Sequence, residues 1–78
     1  MVTAGDILRL ALADAASSMV LIHNHPSGDP SPSVEDIAMT RTVARAAEIV
    51  DIPLRDHVIV TGGNNYGSFL ELGLFAMP

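Results

Sequence analysis

His23 and His25 stand two residues apart at the end of the apolar run Met19-Val20-Leu21-Ile22, and Asp36 follows behind a proline-rich stretch. Imidazole nitrogen and carboxylate oxygen are donors that a divalent zinc ion takes at about 2.0–2.2 Å. On an extended backbone, residues two apart share one side, with Cα atoms about 6.6 Å apart. Both rings can therefore converge on one ion, while Asn24 points the other way, towards structure. Pro26 keeps His25 extended, because a residue before proline avoids the helical region. Two neutral imidazoles and one carboxylate leave a fourth tetrahedral position open, the arrangement of a catalytic rather than a structural zinc.

These donors need a strand end, a stiff loop and a helix start to bring them together. Met19 to His23 is short, apolar and partly β-branched, and reads as a buried strand. Asn24 to Pro32 carries three prolines and a glycine in nine residues, which makes it a stiff loop. Ser33 then caps a second helix running to about Val50, with Glu35 and Asp36 in its first turn, where carboxylates suit the helix dipole. Its apolar face is Ile37, Val43, Ala44, Ala47 and Val50, and Pro53 prevents its continuation.

Upstream, Thr3-x-x-Asp6 is a capping pair that opens a first helix over about Ala4 to Ser17. Ile7, Leu8, Ala11, Leu12 and Ala15 form its apolar stripe. Downstream, Ile52 to Leu54 is a short extended piece, His57 to Val60 a second strand, and Thr61 to Asn65 a turn. Tyr66 to Ser68 is a third strand, followed by a short turn of helix near Phe69 to Leu72. The order α-β-α-β-β predicts a single α/β domain over residues 1–78, a sheet packed by two main helices.

The remaining polar residues have simpler readings. Ser33-x-x-Asp36 is itself a capping box, which does not exclude a role at the metal opening. Asp29 reads as a solvated loop acid and Glu35 as a solvent-facing one. His57, beside Asp56, is a structural hydrogen-bonding histidine or a group supporting a ligand from behind. Arg55 is a surface charge, and the aromatics Tyr66, Phe69 and Phe75 are core-packing residues by default.

Composition narrows the function further. The net charge of −5 comes from nine acids against four scattered arginines, with no basic footprint for a phosphate backbone, which argues against direct nucleic-acid binding. No cysteine is present, so neither a disulfide nor a thiolate metal site can form, in keeping with a reducing cytoplasm. No signal peptide is visible, and no apolar run approaches the roughly 20 residues of a membrane span. A hydrophobic content of 49% is high for 78 residues. It predicts elements buried on both faces, or a core continuing into further chain.

His23-x-His25, seven residues, then Ser33-x-x-Asp36 resembles the JAMM motif of the JAB/MPN+ metalloprotease superfamily. The wider run His-Asn-His-Pro-Ser-Gly-x-x-x-Pro-Ser-x-x-Asp is similar to the RadC-like branch, as are Asp56-His57-Val58-Ile59-Val60 and Ser68-Phe69-x-Glu71-x-Gly73. The resemblance covers essentially the whole chain. It implies a JAB/MPN-like, cytidine-deaminase-like fold with His23, His25 and Asp36 as ligands of Zn2+. It implies Ser33 as the serine that supports the coordinated water and the oxyanion. Hydrolysis of a peptide or isopeptide bond is the implied reaction, and the branch name adds an association with DNA repair.

The resemblance also implies a general-base glutamate on a strand before the first helix, and only Met1 to Thr3 precede that helix here. Asp6 and Asp14 fall within or at the start of helix 1, Glu48 near the far end of helix 2 and Glu71 in the tail motif; none matches. The N-terminal strand hairpin is thus expected to be missing, through a truncated gene, a misassigned start codon or degeneration of a paralogue. Two further expectations compete with the hydrolase: a non-catalytic scaffold that self-associates through an exposed sheet edge, and a DNA-repair accessory.

Overall fold

The computed structural model describes residues 3–74 of the chain. Their elements follow the expected order: α1 (Ala4–Ala13), β1 (Met19–Asn24), α2 (Val34–Ile49), β2 (Leu54–Val60) and β3 (Tyr66–Ser68). The strands form one sheet in the order β1-β2-β3. β1 and β2 are parallel, joined by α2 as a crossover, and β3 returns antiparallel to β2.

Both helices begin as their sequences dictate. Thr3 and Ser33 are N-caps of complete capping boxes, in which each hydroxyl accepts the backbone N–H of the third helical residue. The carboxylates of Asp6 and Asp36 accept the cap N–H groups in return.

The end of α1 departs from expectation, while α2 stops at Ile49, next to the expected Val50. α1 stops at Ala13 instead of reaching Ser17, with Asp14 as its C-cap. Ala15 adopts φ 52° and donates its N–H to Leu12 O, while Ala16 N–H reaches back to Ala11 O. α2 ends the same way: Asp51 has φ 61°, Asp51 N–H meets Glu48 O, and Ile52 N–H meets Ala47 O. These are Schellman closures built without glycine. Leu12 and Ala15, expected in the apolar stripe of α1, are exposed.

β2 begins three residues earlier than expected, so Arg55 and Asp56 belong to the strand. The core lies between the sheet and α2: Val43 and Ala47 of α2, Ile59 of β2, Ile52 and Phe69 are buried, joined by Ala11 of α1. Tyr66 is not a core residue. It is 56% exposed and donates its hydroxyl to Glu71. Phe75 lies outside the described residues.

β1 corrects the expectation of a buried strand. Val20 and Ile22 are 54% and 73% exposed, and Asn24 is exposed as well. β1 also sits at the sheet edge, paired on one side by β2. Apolar composition predicted burial, but among the described residues nothing covers that face.

Candidate metal centre

His23 is the fifth residue of β1, held level with Ile59 of β2 by the parallel register. His25 lies just beyond the strand and stays tied to the sheet through its N–H to Val60 O at 2.9 Å. Asp36 is the third residue of α2, and its capping role aims the carboxylate back at the loop.

The three side chains converge. His23 Nδ1 is 3.2 Å from Asp36 Oδ1, and His25 Nε2 is 3.1 Å from Asp36 Oδ2. The two rings meet edge to face with centroids 4.7 Å apart. One donor atom from each residue lies within 4.8 Å of the others, so the group could hold a metal ion. A tetrahedral shell with bonds of about 2.1 Å spaces its donors about 3.4 Å apart, a closure within reach of side-chain rotation.

Hydrogen bonding shows which atoms are offered. His25 Nδ1 faces the Asp29 carbonyl at 3.0 Å, and a carbonyl only accepts, so Nδ1 carries the proton. With a second proton Nε2 donates to Asp36 Oδ2; without it, the Nε2 lone pair faces a carboxylate that also carries only lone pairs. A cation between them satisfies both, and a backbone carbonyl behind a ligating imidazole is a recurrent support for metal sites. Asp29 therefore acts through its main chain, while its exposed carboxylate accepts the Ser31 N–H.

Asp36 is buried, which by itself pushes its carboxyl pKa up. Hydrogen bonding from the Ser33 backbone and side chain, and the facing His23 and His25, outweigh that burial and hold it below the usual carboxylate value. The site thus keeps an anionic oxygen at its centre. Beside it, a groove of about 510 Å³ runs between α1, α2 and β1, lined by Ile7, Leu21, Ile22, Met39, Glu35 and His57 together with His23 and Asp36. Glu35 is exposed, as expected, yet it borders the opening.

The sequence profile of the RadC-like JAB domain matches residues 1–74. The chain belongs to the RadC-like JAB domain family. A UPF0758 protein of Listeria monocytogenes serovar 1/2a is 50% identical over 70 residues, which are 90% of this chain and 31% of that protein. One from Neisseria meningitidis serogroup C is 49% identical over 69 residues, covering 88% of this chain and 30% of its own length. One from Desulforamulus reducens is 45% identical over 69 residues with the same coverage. The chain spans about a third of the length of these relatives.

Some residues that shape this RadC-like site escaped the reading of its sequence. Thr40, four residues after Asp36 on α2, is buried against His57 and the Asp36 carbonyl. Asp56, named in the sequence only beside His57 and within the family-like run, accepts the N–H groups of His57 and Leu70 and the Ser68 hydroxyl, locking β2 to β3 and the turn after it. Gly67 is crossed by the metal-site loop: a Cβ there would lie 2.5 Å from Pro30 O. A glycine inside a strand pattern is the available signal of such an approach.

Proposed function

We propose that this chain is the zinc-binding part of a metallohydrolase that cleaves a peptide or isopeptide bond, with His23, His25 and Asp36 as ligands of Zn2+. The observation that carries the proposal is the convergence of two imidazole nitrogens and both carboxylate oxygens at the mouth of a groove. A zinc ion there would supply a Lewis acid that polarises a carbonyl and lowers the pKa of a water towards about 7.

The chain's own residues orient and donate. Asp36 spans the two imidazoles with its two oxygens, and the Ser33 N–H fixes the carboxylate plane at 2.8 Å from Oδ2. Ser33 Oγ accepts the Asp36 N–H, and its hydroxyl would turn from the Asp36 carboxylate to donate to a substrate carbonyl oxygen as charge develops there. Loss of one such donor typically costs about 10²–10³ in rate. The largely apolar groove suits side chains of the substrate.

A positioned general base contributes about 10²–10⁴ in rate, and a soluble carboxylate can take that part in solution. The test is turnover of fluorogenic peptide and isopeptide reporters by the zinc-loaded chain, with and without added formate as a soluble carboxylate base. We expect slow turnover that formate accelerates and Ser33→Ala depresses. Rates equal to a free-zinc blank in both conditions would reject hydrolysis by these residues.

The exposure of Val20 and Ile22 on an edge strand favours a second reading, a module that self-associates through β1. It predicts a dimer by light scattering that Val20→Lys dissociates; a well-folded monomer at high concentration would reject it.

A further inference from the structure

We infer that Thr40 and His57 form a positioning pair that holds the first turn of α2, and with it the Asp36 carboxylate, where His23 and His25 can share a cation with it. The inference rests on the metal-centre reading above and adds residues that lie outside the ligand set.

The argument starts from one hydroxyl. Thr40 Oγ1 is 2.7 Å from the Asp36 carbonyl oxygen and 2.6 Å from His57 Nδ1. A hydroxyl has a single proton, and the carbonyl can only accept it. Thr40 therefore donates to Asp36 O, and His57 donates Nδ1–H to Thr40. The chain has one polarity, from β2 through α2 to the main chain of the ligand itself. Thr40 and His57 are 1% and 4% exposed, so no water substitutes easily for either partner.

His57 is a firm anchor. Its ring stacks on buried Phe69 with centroids 4.6 Å apart and planes at 13°. On its other side it lies 5.9 Å from the His23 ring at 29°. Its strand pairs with β1, opposite Leu21 and two residues before the partner of His23. The pair thus links the helix that carries one ligand to the strand whose neighbour carries another. A threonine bonded to the carbonyl four residues back is common in helices and need mean nothing. Here that carbonyl belongs to Asp36, and coordination tolerates errors of only about 0.2 Å.

The test compares Thr40→Val, which keeps the shape and deletes the hydroxyl, with Thr40→Ser, which keeps the hydroxyl. Zinc affinity is measured by competition with a chromophoric chelator, alongside the visible spectrum of the Co2+-loaded chain and the melting temperature without metal. Thr40→Val should bind zinc roughly 10- to 100-fold more weakly and alter the Co2+ spectrum. Thr40→Ser should stay close to the unaltered chain in both. Should Thr40→Val fail to fold, His57→Asn, which restores a donor near Nδ1, should retain affinity that His57→Leu loses. A folded Thr40→Val with unchanged affinity and spectrum, or an equal loss in Thr40→Ser, would overturn the pair while leaving the metal centre intact. Absence of zinc uptake by the unaltered chain would overturn both.

Discussion

Asp36 carries three duties at once: it closes the capping box of α2, faces two imidazoles, and remains anionic although buried. Its depressed pKa sets a direction for stability. A carboxylate held below its ordinary value stabilises the fold above that value of about 3.8, and the contribution is lost as pH falls through the folded-state pKa. The metal-free chain should therefore lose stability as pH drops below about 4, and Asp36→Asn should flatten that part of the profile in melts followed by circular dichroism. An unchanged profile would show that Asp36 gains nothing from its partners. At this scale the sequence was legible where spacing alone sets geometry: His23, His25 and Asp36 meet as their pattern predicts. Thr40 was not, because a helical threonine has the same appearance whether it faces solvent or a buried histidine seventeen residues away.

The elements show why a one-dimensional reading placed both helix starts and the stop of α2 but not the stop of α1. Capping boxes announce themselves through Thr3-x-x-Asp6 and Ser33-x-x-Asp36, whereas the helix ends use Ala15 and Asp51 in left-handed geometry, where glycine is the usual marker. β1 misled through composition, since four apolar residues in a row describe a buried strand equally well as an edge strand awaiting cover. The loop between β1 and α2 is fixed from outside by β3. Because the Gly67 position is crossed by Pro30 O at 2.5 Å, Gly67→Ala must push the loop away, and with it the Asp29 carbonyl that orients His25. We expect a stability loss of about 1–3 kcal/mol together with weaker zinc binding, read by thermal melts and chelator competition. Gly62→Ala, with open space around it, is the matched control and should change neither.

Among the described residues the core is thin. Six apolar residues are buried, three of them only alanine or valine, and chains of this size commonly draw stability from a bound metal or a partner. None of the described helices is long and apolar enough to cross a membrane. The high hydrophobic content of the sequence ends up partly on the surface, on β1 and on α1 residues Leu10 and Leu12, so the first of the two readings of composition, elements buried on both faces, does not hold for β1 among the described residues. A cation joining β1, the loop and α2 would add a cross-link where packing is thin. The most direct test is zinc stoichiometry by native mass spectrometry on protein purified free of metal and then exposed to equimolar Zn2+. One ion per chain, absent from His23→Ala and Asp36→Ala, is the result predicted here; a chain that remains folded and binds no zinc would contradict the central claim.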